Sequence, residues 1–187
     1  MTARFVITET RLSGLRVIQR QRLGDSRGYL ERVFCRDELV ETGWTKPISQ
    51  INNTFTVRKG TVRGMHFQRP PYAEMKLVMC LSGEVFDVAL DLRMGSPTFM
   101  QWHGEVISDD NCRALLIPEG FAHGFQALTD NVRMLYLHSA PYAAQAEGGI
   151  HPQDPTIVIR WPLAISELSP RDAGHPTLNE SFEGMRI

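Results

Sequence analysis

The chain's 187 residues suffice for one domain with a full hydrophobic core. Its 20 Lys and Arg against 21 Asp and Glu leave a formal net charge of -1, which excludes the basic surplus that would draw it to nucleic acid or an anionic membrane. The 3 cysteines, Cys35, Cys80 and Cys112, lie far apart without a CxxC pair, which excludes a disulfide framework and a zinc knuckle and leaves buried free thiols.

The opening run, TARFVITETRLSGLRV, lacks the continuous apolar segment of a signal peptide. No later stretch approaches the roughly 20 apolar residues of a membrane-crossing helix, so the expected location is the cytoplasm, with no membrane partner. RDELVETG, residues 36–43, predicts a short helix ended by Gly43. Beyond it the apolar period is mostly two. In EVFDVALDL, Glu84, Phe86, Val88, Leu90 and Leu92 share one face, and Val85, Asp87, Ala89 and Asp91 the other. VRMLYLHSA puts Val132, Met134, Tyr136 and His138 on one side. Turn signals such as Ser82-Gly83, Gly95-Ser96-Pro97 and Pro118-Glu119-Gly120 cut the chain into many short strands. The pattern predicts an all-β sandwich or barrel with a few short helices, built as a single domain over residues 1–187. Near the end, SPRDA offers Ser169 as a helix N-cap and Pro170 as the first helical residue, and residues 176–187 read as a surface tail.

Polar residues interrupt this pattern at two places. RGMHFQ carries Arg63, His66 and Gln68, and Lys76 opens the next strand after the short RPPYAEM segment. Strand parity sends Arg63 and His66 to opposite faces, but Gly64 between them is a natural bulge that can re-aim one side chain. A lone strand histidine is more often structural than catalytic; three donors and a titratable base within so short a span favour a shared site. IPEGFAHGF contains P-x-G-x-x-H, the second half of the cupin pattern, ending in His123. The H-x-H of the first half is missing, and two histidines without a nearby carboxylate make a poor metal site, so no metal is expected. By periodicity alone Tyr136 is an amphipathic core tyrosine and Asp172 an acid in a helix's first turn.

RGMHFQ, KLVMCLSGEVFDVALDLRMGSPTFMQW, IPEGFAHGF, LY, DP followed by IRWPL, and SPRDA, in that order, resemble the dTDP-4-dehydrorhamnose 3,5-epimerase family from about Gly24 to Asp172. The resemblance implies a cupin-type jelly-roll barrel, a homodimer with N-terminal strands shared between subunits, and chemistry without a cofactor. The implied substrate is a nucleoside-diphosphate 4-keto-6-deoxyhexose, whose protons beside the ketone are acidic because the carbanion delocalises into an enolate. On this resemblance His66 is the base, Asp172 its orienting carboxylate, Lys76 the cation that neutralises the enolate oxygen, and Tyr136 the acid on the opposite face. Arg27, reaching into the neighbouring subunit, Arg63, Gln50 and Arg171 are the implied contacts to diphosphate, nucleotide and sugar, and His123, Tyr142 and Glu31 complete the binding set. An imidazole titrates near neutrality, which suits proton abstraction there, whereas a tyrosine needs a neighbouring cation, for which Lys76 is the candidate.

The chain also departs from the family pattern. Met79 stands where arginine is common, Arg32 where a glutamate is expected with Glu31 one residue early, Leu137 for a lysine, Pro141 for a tyrosine, and HPQD, residues 151–154, for RWND. The implied proton-transfer positions are kept while peripheral ones change, which leaves open the nucleotide, the sugar, and whether one carbon or two is epimerised. A sugar-nucleotide-binding cupin without turnover, and a metal-dependent cupin oxygenase or isomerase, are the competing readings. The first has no need of a base and an acid; the second lacks its H-x-H.

Overall fold

The computed structural model describes residues 4–179 and 181–187. In chain order the strands are β1 (Phe5–Glu9), β2 (Arg16–Arg20), β3 (Arg22–Asp25), β4 (Gly28–Glu31), β5 (Gln50–Thr56), β6 (Val62–Gln68), β7 (Lys76–Ser82), β8 (Glu84–Asp91), β9 (Trp102–Ser108), β10 (Arg113–Ile117), β11 (Phe121–Ala127), β12 (Val132–His138) and β13 (Glu147–Gly149). Two short helices, α1 (Arg36–Leu39) and α2 (Pro170–Ala173), lie outside them. A six-stranded sheet, β1-β2-β10-β7-β12-β5, packs face to face with a five-stranded one, β13-β6-β11-β8-β9, as a jelly-roll barrel, and β3-β4 forms a separate hairpin. All these pairings are antiparallel. The expected all-β architecture with few helices is the one found.

The alternation read from the sequence sorts the core into layers. Val78 and Cys80 of β7, Val85 and Ala89 of β8, and Val132, Met134 and Tyr136 of β12 point between the sheets. The outer face of the six-stranded sheet, with Leu77, Met79 and Leu137, is covered by Leu39 and Trp44 from the α1 segment. The outer face of the other sheet, with Val88 and Leu90, is covered by Ile150, Ile157 and Met185 from the C-terminal third of the chain. Both central sheets are therefore buried on both sides, and their strands read as near-continuous apolar runs, as in KLVMC. Residues 176–187, expected as a surface tail, carry no regular element among the described positions, yet Met185 is buried and pairs with Leu92 through its backbone N–H. Position 180 of that tail lies outside the described residues.

The expected short helix over 36–43 is α1 followed by a 3-10 turn, Val40–Thr42, and ends at Gly43 with φ +93, the left-handed conformation glycine accepts without strain. α2 begins as its residues dictate: the Asp172 N–H donates to Ser169 Oγ at 3.0 Å, and Pro170 occupies the first turn, where its missing N–H costs nothing.

Two departures from the family pattern fall on the outer layers. Met79 and Leu137 face away from the barrel interior, and Met79 Sδ receives the Arg20 guanidinium at 3.5 Å. Arg20 is itself buried and pairs with Glu31 at 2.6 Å, while Arg22 donates to the other oxygen of Glu31 at 3.2 Å. Glu31, expected at the ligand, is held by two arginines within the fold and lies outside the cavity of its own chain. Removing one partner of a buried ion pair leaves the other charge uncompensated, at about 3–5 kcal/mol. Glu31→Gln is expected to lower the melting temperature by on the order of 10 °C in a thermal scan, with nucleotide diphosphate affinity unchanged.

Candidate active site

The interior is apolar at one end and polar at the other. Where the apolar layer stops, at Phe125 and Tyr136, a cavity of about 550 Å³ opens between the sheets. Its walls carry His66 and His123 from the five-stranded sheet, Lys76, Tyr136 and His138 from the six-stranded one, and Asp172 from α2.

The bulge anticipated at Gly64 sets the geometry of β6. His66 pairs with His123, but Arg63 pairs with Phe125, so three steps along β6 match two along β11. The extra residue restores Arg63 and His66 to a common side, and both line the cavity. Gly64 has φ +123, and a Cβ there would lie 2.6 Å from the Cα of Gly124, so no side chain fits. Its N–H donates to Asp172 Oδ2 at 3.2 Å.

The other oxygen of that carboxylate, Oδ1, lies 2.7 Å from His66 Nε2. Burial would raise the Asp172 pKa, but the His66 hydrogen bond and charge, the Gly64 N–H and the Arg171 guanidinium outweigh it and hold the carboxyl at about 2. An ionised carboxylate only accepts, so Nε2 carries the proton and Nδ1 is the basic nitrogen of the neutral ring. Nδ1 makes no hydrogen bond among the described residues. Arg171, whose Nη2 lies 3.0 Å from Nε2, brings a cation beside the couple and is itself tied to Glu147 at 3.1 Å.

Tyr136 stands on the opposite sheet. His66 and His123 are cross-strand partners, whose Cβ atoms lie about 5 Å apart. The His123 ring meets the Tyr136 ring edge-on at 5.9 Å between centroids. Imidazole and phenol therefore face one enclosed space from two sides. Burial, and then the Asp87 charge, push the Tyr136 phenol above its ordinary value, with Arg63 acting the other way. Arg63 is a cation that acts on the phenol, and its own Nε is anchored on Thr56 Oγ1 at 3.0 Å. Lys76 does line the cavity, with its ammonium 3.3 Å from Glu74 Oε1.

Of the expected site residues, His66, Asp172, Lys76, Tyr136, Arg63, His123, Arg171 and Tyr142 come together around the cavity. Gln50 stands one step behind it, donating to Asn52 Oδ1 at 3.1 Å and accepting from the Tyr142 N–H at 3.1 Å. Arg27 sits at the tip of the β3-β4 hairpin, exposed and paired with Asp25 at 2.6 Å, outside the cavity of its own chain. Two cavity groups, Glu74 and His138, and Asp87 buried behind His123 had no role in the sequence reading. Asp87 holds the His123 Nε2 at 2.9 Å, and Glu74 accepts from His138 Nδ1 at 2.7 Å. Asp87 and His138 were visible in the parity of their strands, whereas Glu74 lies in a connecting segment without periodicity.

His66, Asp172 and His175 present ligand atoms within 4.8 Å of one another, so a carboxylate does stand beside the cavity histidines, contrary to the expectation. The Arg171 guanidinium at 3.0 Å from the same His66 nitrogen occupies that space with a fixed positive charge, which opposes a metal cation there.

The sequence model of the dTDP-4-dehydrorhamnose 3,5-epimerase family matches residues 9–180. A dTDP-4-dehydrorhamnose 3,5-epimerase of Sinorhizobium fredii is 38% identical over 184 residues, covering 94% of this chain and 92% of its own. A dTDP-4-dehydrorhamnose 3-epimerase of Streptomyces niveus is 40% identical over 162 residues, covering 86% and 78%. The crystal structure of a Legionella pneumophila dTDP-6-deoxy-D-glucose-3,5-epimerase in complex with dTDP-4-keto-L-rhamnose superposes with a TM-score of 0.91, at 38% identity and 98% coverage of both chains. With the barrel, the cavity and its His–carboxylate couple described, these matches mean that the chain belongs to the dTDP-4-dehydrorhamnose 3,5-epimerase family.

Proposed function

We propose that the protein inverts C3, C5 or both of a nucleoside-diphosphate 4-keto-6-deoxyhexose without a cofactor, converting dTDP-4-dehydro-6-deoxyglucose to dTDP-4-dehydrorhamnose. The observation that carries this reading is the opposition of His66 and Tyr136 across one cavity, from different sheets. His66 Nδ1 takes the proton beside the ketone; the C–H bond breaks, its electron pair enters the enolate, and the ring becomes an imidazolium that Asp172 stabilises. The Lys76 ammonium neutralises charge on the enolate oxygen, an interaction worth a few kcal/mol in a water-poor site. On the opposite face the Tyr136 O–H bond breaks as its proton forms the new C–H bond, which is inversion, and the phenolate left behind is reprotonated from solvent before the next turnover.

The diphosphate is assigned to Arg63 and Arg171 at the cavity, with Tyr142 and Gln50 nearest the nucleotide; the planar guanidinium fork suits phosphate oxygens. Arg27 is assigned to the site of a second subunit. The exposed apolar residues of the two edge strands, Val6 and Ile7 on β1 and Ile51 and Phe55 on β5, support a homodimer in which the β3-β4 hairpin crosses to the partner. Among the described residues no helix is long and apolar enough to cross a membrane, in keeping with a cytoplasmic site of action.

The test is incubation with dTDP-4-dehydro-6-deoxyglucose in deuterated water, followed by NMR. Deuterium at C3, C5 or both, in the presence of chelator, is the expected result. Binding without exchange would leave a sugar-nucleotide-binding protein, and activity lost on chelation would point to a metal enzyme.

A further inference from the structure

The mechanism uses one His–carboxylate couple, yet the cavity holds a second that it leaves idle. His138 and Glu74 both line the cavity, and Glu74 Oε2 accepts from His138 Nδ1 at 2.7 Å, the same separation as between His66 and Asp172. Burial would raise the Glu74 pKa, but the His138 hydrogen bond and the Lys76 charge hold it low, so Glu74 stays ionised and orients the ring. Among the described residues, the remaining nitrogen, Nε2, has only the Asn52 amide within hydrogen-bond range, at 3.4 Å, too long for a good hydrogen bond.

His138 is two residues from Tyr136 on β12, and their rings are nearly parallel at 6.1 Å between centroids, with an interplanar angle of 21°. The two therefore belong to the same wall, opposite His66. Any proton delivered from that wall inverts a carbon that His66 has deprotonated. Burial and Asp87 both favour the neutral form of the Tyr136 phenol, which holds its proton more firmly than an ordinary tyrosine.

We propose that His138, oriented by Glu74, is a second proton donor on the Tyr136 wall. In the step it performs, the Nε2–H bond of the imidazolium breaks, a C–H bond forms at the enolate carbon, and the neutral imidazole is reprotonated from solvent before the next turnover. The ammonium of Lys76, cross-strand from His138, keeps Glu74 ionised and the enolate oxygen neutralised at once. This inference rests on the epimerase reading above.

The experiment compares the wild type, Tyr136→Phe, His138→Gln and the double variant with dTDP-4-dehydro-6-deoxyglucose in deuterated water, counting inverted, labelled product. Tyr136→Phe is expected to keep inversion at least about tenfold above the double variant, and His138→Gln alone to lower kcat about tenfold with KM little changed. A Tyr136→Phe enzyme no more active than the double variant overturns the proposal, as does a His138→Gln enzyme with wild-type kcat. Unchanged TDP affinity and melting temperature certify each fold; if the double variant does not fold, Tyr136→Phe with Glu74→Gln reads the same quantity, and residual inversion unaffected by Glu74→Gln counts against the couple. A wild type that exchanges no deuterium rejects the epimerase reading instead, so the two failures are distinct.

Discussion

His66→Ala is expected to lower kcat/KM by about 10²–10⁴-fold, the usual worth of a positioned general base. Deuterium exchange at the sugar should disappear together with product, because abstraction precedes every later step. The reason is positional. His66 alone combines a carboxylate at 2.7 Å, a neighbouring guanidinium at 3.0 Å and a nitrogen without a hydrogen-bond partner among the described residues. His123 faces the same space, but its Nε2 is committed to Asp87 on a fully buried strand position. Asp172 keeps the Gly64 N–H and Arg171 after the substitution, so the barrel should fold and TDP should bind as before. Steady-state kinetics and a TDP titration check the two halves of the prediction. Exchange that persists in His66→Ala would move the base to another residue.

The barrel was legible from the turn signals that cut the chain into short strands and from strands such as EVFDVALDL that keep a period of two, even though both sheets are covered on both faces and KLVMC reads as one apolar run. EVFDVALDL sorted correctly: Val85 and Ala89 lie inside, Val88 and Leu90 outside. Arg63 and His66 could be brought to one side only by reading Gly64 as a bulge, and the register of β6 against β11 bears that out. Charge partnership was not legible. Parity says which way Asp87 and His138 point, but not that a histidine on β11 waits for the one, or a glutamate between β6 and β7 for the other. The pairing of Glu31 was hidden for the same reason: its partners, Arg20 and Arg22, lie close in sequence, yet only the turn of β3 into β4 and the burial of Arg20 bring them to it. The departures at Met79 and Leu137, which looked like changes in recognition, fall on the outer layer and leave the cavity untouched.

Asp172→Asn separates the charge of the couple from its shape. An amide fills the same volume but cannot accept from both His66 Nε2 and the Gly64 N–H, as the carboxylate does at 2.7 and 3.2 Å. If its oxygen meets Gly64, its NH2 faces Nε2 and donates there, which moves the ring proton to Nδ1 and blocks the nitrogen that must receive the substrate's proton. The opposite rotamer sets two donors against each other at Gly64. Where an aspartate that orients a catalytic histidine is made asparagine, the loss can reach about 10⁴-fold in kcat, and a loss of this order with little change in TDP affinity is expected here. Stability should respond to pH in a matching way. The Asp172 pKa is held at about 2, below the ordinary carboxyl value of about 3.9, so its contribution is present above that value and is lost as pH falls toward 2. The difference amounts to about 3 kcal/mol at neutral pH, and the asparagine variant, having no proton to take up there, should lose less stability than the wild type between pH of about 4 and about 2. A variant with wild-type turnover would mean that the imidazole needs only a hydrogen-bond acceptor of the right shape, and that the negative charge beneath it is not what makes it a base.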